Sequence, residues 1–200
     1  MSSLSLTRIT NTSVQIPGLE PWYANPQDPA LTVMTDFRER ASITVPDTAT
    51  IDEALEHMRH TGVRCAFAID ERKRVVVGLI TAYDITGEKP IQCANFRAIQ
   101  RRDVLVRDIM QEISDCRVVD IKQIEISMVA AVADMFARYR LTHVPVMETS
   151  DNGEQRLRGL LSAARVRRLL SRPGSRPDAA VGSVNSPTDS YPSFHPVARR

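Results

Sequence analysis

The chain has 200 residues, of which 42% are hydrophobic and 25% charged. That is enough for one ordinary domain or two small ones with a real core, and it is the balance of a soluble globular protein. A formal charge of +2 is too small to indicate a nucleic-acid or membrane partner by itself, and no apolar run approaches the ~18 residues of a membrane span. Met1–Leu19 has no positive patch followed by an apolar run, so no secretory signal is expected. Cys65, Cys93 and Cys116 are scattered without a CxxC pair, which points to free thiols and a cytoplasmic setting.

Taken in chain order, residues 1–40 read as a mostly irregular N-terminal arm. Pro17, Pro21, Pro26 and Pro29 oppose a long helix. Trp22 and Tyr23 are the expected anchors, since an aromatic pair is costly to leave in water, and Leu31–Arg40 is more regular. Ile43-Thr44-Val45 reads as a strand stopped by Pro46. Thr50 followed by Glu53 is a capping box, and Ile51, Ala54, Leu55 and Met58 fall on one helical face that Gly62 ends. Val63–Ile69 and Val75–Ile80 read as strands around a charged turn, and Thr81 opens a second helix that stops near Gly87. Between 91 and 107 lies a basic connecting segment in which Phe96, Ile99 and Val104 form a candidate helical face.

The order then recurs. Arg117–Ile121 reads as a strand, and Met128, Val132, Met135, Phe136 and Tyr139 mark an amphipathic helix. Leu141–Met147 and Leu157–Leu161 read as strands, and Ser162–Leu170 as a helix. After residue 170 the proline- and serine-rich composition predicts a disordered tail, 171–200. Gly78-Leu79-Ile80-Thr81-Ala82-Tyr83-Asp84 and Gly159-Leu160-Leu161-Ser162-Ala163-Ala164-Arg165 share glycine, two aliphatics, a hydroxyl and a final charge, 81 residues apart. Val63–Ala68 lines up with Leu141–Val146 at a spacing of 78. Similar offsets for two different elements indicate a duplicated unit, here 41–90 and 108–170.

The duplicated pattern resembles a pair of CBS (cystathionine-β-synthase) domains, a Bateman module. The carrying residues are Val45-Pro46-Asp47-Thr48, Gly78–Ile85, Asp108-Ile109-Met110 and His143-Val144-Pro145-Val146. The resemblance implies an α+β fold of two pseudo-symmetric β-α-β-β-α repeats packed through their sheets, with two clefts between them. It also implies adenine nucleotides (AMP, ADP or ATP) or a related adenosyl ligand such as S-adenosylmethionine in those clefts, and a homodimer formed through the helices.

The residue types suit such a ligand. A carboxylate accepts from both hydroxyls of a vicinal diol through charge-assisted bonds, which fits Asp84 to a ribose. Thr81, at a helix start, offers a hydroxyl and free N–H groups to a phosphate. The bland alternative is local: Thr81-x-x-Asp84 is also a helix cap. The resemblance completes this cleft from the other repeat with Thr142, His143, Val144 and Pro145 and with the strand that carries Val119 and Asp120; Ile80 ends the first-repeat strand. The second cleft departs from the pattern. Ser162 is retained, but Arg165 has no acceptor for a diol. By the same resemblance Thr44, Arg64, Cys65, Ala66 and Phe67 lie across from it, with Phe67 in place of the other strand's proline, so this site is expected to be empty or, through Arg64 and Arg165, to attract phosphate. As a bland alternative, Arg165 is one solvated arginine on a basic helix.

Other candidates carry less. His57 and His60 sit at i and i+3 without a third ligand, so no metal is expected. Cys65 on an apolar strand reads as core. No Ser/His/Asp or Cys/His set suggests nucleophilic catalysis. The expected function is therefore a non-catalytic regulatory module that binds an adenosyl ligand, requires no cofactor and answers to an unknown regulated protein. Its alternatives are a ligand-free dimerisation module and a nucleic-acid binder using the arginine-rich helix.

Overall fold

The computed structural model describes residues 20–171; the expected tail, apart from Ser171, lies outside the described residues. After a 3₁₀ turn at Ala30–Val33, the elements run β1 (Thr35–Asp36), β2 (Thr44–Pro46), α1 (Ile51–Thr61), β3 (Cys65–Asp70), β4 (Val75–Thr81), α2 (Ala82–Thr86) and α3 (Lys89–Arg97). They continue with α4 (Val106–Ile109), β5 (Gln111–Glu112), β6 (Val119–Asp120), α5 (Ile121–Glu125), α6 (Val129–Tyr139), β7 (His143–Thr149), β8 (Gln155–Ser162) and α7 (Ala163–Leu170). The expected α+β architecture is present as two four-stranded sheets, β2-β3-β4-β5 and β1-β8-β7-β6.

Local chemistry explains the regular parts. The Thr50 side chain accepts from the Glu53 N–H, the Glu53 carboxylate returns a bond to the Thr50 N–H, and Gly62 closes α1 in the left-handed region at φ 71. Ile51, Ala54, Leu55 and Met58 face inward. The opening of each repeat pairs in parallel, β2 with β3 and β6 with β7. The strands β3–β4 and β7–β8 are antiparallel hairpins.

Each sheet is completed by a strand that lies outside its own hairpin unit. β1, within the expected arm, pairs with β8, Thr35 opposite Leu160 and Asp36 opposite Gly159. β5 pairs with β4, Gly78 opposite Glu112 and Leu79 opposite Gln111. The two motif glycines admit this approach. A Cβ on Gly78 would sit 2.5 Å from Met110 Sδ and 2.7 Å from the Gln111 carbonyl oxygen, and one on Gly159 would sit 2.7 Å from the Thr35 carbonyl oxygen and 3.0 Å from Met34 Sδ. Met34 and Met110 are thus structural counterparts. Because a carbonyl cannot turn aside as a thioether can, Gly78→Ala is expected to destabilise the fold by about 1–3 kcal/mol, the usual cost of overpacking. Urea denaturation checks this, and an unchanged midpoint would refute it.

Three apolar clusters hold the molecule. One lies between the first sheet and its helices (Ile51, Met58, Ile80, Ile85, Val104). A second lies between the second sheet and its helices, and it takes in Ala24, Ala30, Val33 and Met34 from the N-terminal segment. The third joins the sheets: Cys65, Phe67 and Leu79 pack with Phe37, Leu157 and Leu160.

Several local expectations change. Trp22 is 90% exposed and anchors nothing; the arm is held instead by the buried Ala24, Ala30, Val33 and Met34 and by backbone bonds to the second repeat (Ala24 N–H to Leu169 O, Ala30 N–H to Ser127 O). In the connecting segment, Pro90 and Ala94 face inward while Phe96 is 92% exposed. The helix there, Lys89–Arg97, ends before Ile99 and Val104, so the three residues share no helical face: Phe96 lies on its outer side, whereas Val104 is buried in the first core. The strand expected over Arg117–Ile121 contracts to Val119–Asp120, because the Asp120 carboxylate accepts from the Lys122 N–H and caps α5.

Candidate functional site

In the first repeat, β4 runs into α2 through a complete capping box. The Thr81 hydroxyl accepts from the Asp84 N–H at 3.2 Å and donates to Asp84 Oδ2 at 2.6 Å, while the Thr81 N–H donates to the same oxygen at 2.9 Å. The local reading of Thr81-x-x-Asp84 therefore holds. The other oxygen, Oδ1, takes the Lys89 ammonium at 2.6 Å. That ammonium also reaches the Ile109 carbonyl at 3.5 Å.

Strand alternation decides what surrounds this turn. Leu79 packs between the sheets and Ile80 in the first core, so Thr81 projects on the inter-sheet side, opposite Cys65. On the other sheet Leu160 packs between the sheets. Its cross-strand partner Pro145 shares that side, and so does the pair His143–Ser162. Thr81, Cys65, His143 and Ser162 thus stand at the rim of the inter-sheet interface. The Asp84 charge reaches across the repeats: burial pushes the His143 pKa down and Asp84 opposes it. The Cys65 thiol is pushed up to about 12, mainly by burial and further by Asp84, which leaves it unreactive and confirms it as core.

Other predicted residues are placed differently. Val144 and Ile80 are buried at 2% and 0% in the two repeat cores, on the opposite side of their strands from His143 and Thr81. Val119 packs against the second core, and Asp120 is engaged as the α5 cap. Thr142 is exposed, with its hydroxyl 3.2 Å from His143 Nδ1. Its carbonyl accepts from Ala163 N–H, as that of Arg64 accepts from Ala82 N–H, so both motif helices start from matched bonds. Thr44 is half-buried opposite Phe67.

The second cleft has the same framework with its charges exchanged. Ser162 makes no side-chain capping bond, and the Arg165 side chain has no acceptor with which to close a capping box. Arg165 is not a solvated arginine: its side chain is 14% exposed. Its Nε donates to the Val33 carbonyl at 3.1 Å, and its Nη1 pairs with Glu20. Val33 precedes Met34 as Ile109 precedes Met110, so the two clefts place a cation on equivalent carbonyls. In the first the cation is Lys89 and the motif supplies the anion; in the second the motif supplies the cation and Glu20 the anion. Lys89 and Glu20 are the residues that sequence reasoning missed. Lys89 lay five positions beyond Asp84, across an apparent helix stop, and Glu20 gave no local signal at all.

The folded His143 resists protonation, so its contribution has a definite sign. As pH falls through the ordinary histidine value near 6.5, the unfolded chain binds a proton that the folded chain resists, and stability drops; above that value there is no difference. Stability is therefore expected to decline below about pH 6.5, and His143→Gln to flatten the decline. Denaturant midpoints measured across pH check this, and an identical slope in the variant would refute it.

A family model for the CBS domain matches residues 32–89 and 106–172. The chain belongs to the CBS domain family. The match includes Thr35 and Asp36 with the first repeat, although in space they complete the second sheet. Among solved structures, an uncharacterized conserved protein from Pyrococcus horikoshii is 18% identical, with 76% of this chain and 99% of that chain covered at a TM-score of 0.52, which shows the CBS-pair fold. Two CBS proteins are similar at a TM-score of 0.48: CBSX2 of Arabidopsis thaliana in complex with AMP (19% identical, covering 71% and 94%) and the CBS domain pair of protein MJ0100 in complex with 5′-methylthioadenosine and S-adenosyl-L-methionine (21%, covering 72% and 96%). No curated protein matches the sequence. Among the described residues of this CBS pair, no helix is long and apolar enough to cross a membrane, and no group of three or more His, Cys, Asp and Glu could hold a metal ion.

Proposed function

We propose that this CBS pair is a non-catalytic regulatory module that binds an adenine nucleotide, or a related adenosyl ligand, in the cleft of Thr81 and Asp84. The observation that carries the reading is that Thr81, which caps α2 together with Asp84, and His143 of the other repeat lie on the same inter-sheet side of their strands. Asp84 Oδ1 holds the ribose diol once Lys89 turns away, Thr81 and His143 face the phosphate, and Pro145 flanks the base. A ligand that touches both repeats favours the arrangement in which the halves are correctly spaced, and that differential affinity is the regulatory signal. Val119, Asp120, Thr142, Val144 and Ile80 support the walls from behind.

Two copies associate through their helix pairs, where the α6–α7 groove of 480 Å³ presents Phe136, Leu141 and Val166, and the α1–α2 groove of 460 Å³ presents Leu55, Met58 and Tyr83. The three free cysteines are the support for a reducing, cytoplasmic setting. The arginine-rich helix lends less to a nucleic-acid reading, because Arg165 and Arg168 both turn to Glu20. Calorimetric titration with AMP, ADP, ATP and S-adenosylmethionine tests the proposal: saturable binding of one of them is expected, and no binding of any would overturn it.

A further inference from the structure

We propose that Lys89 selects the charge class of the adenosyl ligand, a role that rests on the ribose reading of Asp84. Its ammonium competes with the ribose for Asp84, and once displaced it favours a phosphate over a cationic group on the 5′ carbon. The Asp84 carboxylate is engaged on both sides within the chain. Oδ2 accepts from the Thr81 N–H and from the Thr81 hydroxyl, which together make the helix cap, and Oδ1 accepts from the Lys89 ammonium at 2.6 Å. A diol that leaves the cap intact meets Lys89 at the oxygen it needs.

Lys89 is placed to yield without leaving. Its side chain is 50% exposed, against 19% for that of Asp84, so the ammonium turns toward water at little cost. Its backbone is fixed, because it opens α3 and is followed by the buried Pro90, whose ring locks φ. The Ile109 carbonyl, 3.5 Å from Nζ, is an acceptor it retains. The displaced cation therefore stays beside the sugar. The 5′ carbon lies one sugar ring from the diol, and its substituent falls within the Debye length of about 8 Å from that cation.

The charge balance follows. Asp84 alone would repel a phosphate and attract a sulfonium, and Lys89 cancels that field. Burial opposes the protonation of His143 and the ionisation of Cys65, so neither of these rim groups adds charge near neutral pH. A phosphate meets an ammonium that has just lost its carboxylate to the ribose, whereas a sulfonium meets the same cation as a repulsion. The second cleft has no such device, since Arg165 stands at the place of Asp84 and offers a diol no acceptor.

Calorimetric titration of the full chain with AMP, adenosine and S-adenosylmethionine tests this in the parent and in Lys89→Met, which keeps the length and removes the charge. In the variant adenosine is expected to bind about five-fold more tightly, because a partly exposed ion pair no longer competes. S-adenosylmethionine is expected to gain about ten-fold, because the repulsion goes as well, and AMP to gain nothing, because it loses its cation. The ratio of AMP to S-adenosylmethionine affinity thus falls about ten-fold. Lys89→Arg is expected to keep the parent ratio and Lys89→Glu to lower it further. An unchanged ratio in Lys89→Met overturns the selecting role and leaves the ribose reading standing. An equal loss for all three ligands assigns Lys89 to the scaffold and overturns it too. Absence of binding by parent and variants alike overturns the ribose reading, and the role of Lys89 with it.

Discussion

Phe67→Ala is expected to lower the stability of the protein by about 3–5 kcal/mol, the cost of emptying a fully packed aromatic position. Phe67 is 2% exposed and lies in β3, opposite Leu79. It projects between the sheets, where its ring meets Phe37 edge-on at 88° with centroids 5.8 Å apart. Phe37 follows β1, which is paired to the second sheet, so the aromatic contact ties one repeat to the other. Its removal leaves a cavity that neither sheet can close without breaking its own pairing, and the edge-to-face attraction is lost as well. For a fold of this size the change corresponds to a fall of roughly 10 °C in Tm. Phe67→Leu, which keeps most of the volume, is expected to cost less than about 1.5 kcal/mol. Urea and thermal denaturation measure both, and an alanine variant within about 1 kcal/mol of the parent would show that the inter-sheet cluster is not what holds the repeats together.

Asp84→Asn is expected to weaken adenosyl-ligand binding by about 10- to 100-fold while leaving stability nearly unchanged, since a hydrogen bond to a charged acceptor is worth about 1.5–3 kcal/mol and an exposed ion pair little. The amide keeps an oxygen for the Thr81 N–H, so the helix cap survives. It loses the second acceptor that a diol requires and the charge that draws Lys89. The amide variant thus separates the ribose role from the capping role, which Asp84→Ala would remove together. Titration of parent and variant with AMP decides the matter. A parent that binds and a variant that binds equally well would remove Asp84 from the site.

What was legible in the sequence follows the range of the forces involved. The capping boxes at Thr50–Glu53 and Thr81–Asp84 and the stop at Gly62 are short-range bonds between near neighbours, and residue type alone encodes them. The motif glycines were legible as a repeat, but their reason was not: each makes room for a distant backbone, Gln111 beside Gly78 and Thr35 beside Gly159. Trp22 and Phe96 misled because apolar character predicts burial only when a partner surface exists, and no local pattern shows where that surface lies. In the second cleft the loss of the acid was plain at Arg165, whereas its replacement partner, Glu20, is 145 positions away. A contact at that separation leaves no periodicity to detect.

The exchange of edge strands also has a consequence for how the chain reaches its native state. Among the described residues β1 is the first strand to emerge during synthesis, yet the strand it must pair with, β8, is the last to appear. The first sheet can assemble as soon as β5 has been made, but the second must wait with one edge open until the hairpin β7–β8 is complete. Closing such a distant pair carries the loop entropy of more than a hundred intervening residues, on the order of the span from β1 to β8, before any reward arrives. The rate-limiting event in folding is therefore expected to be the return of the early segment to the late sheet, and the two repeats, though alike in sequence, do not fold on equal terms.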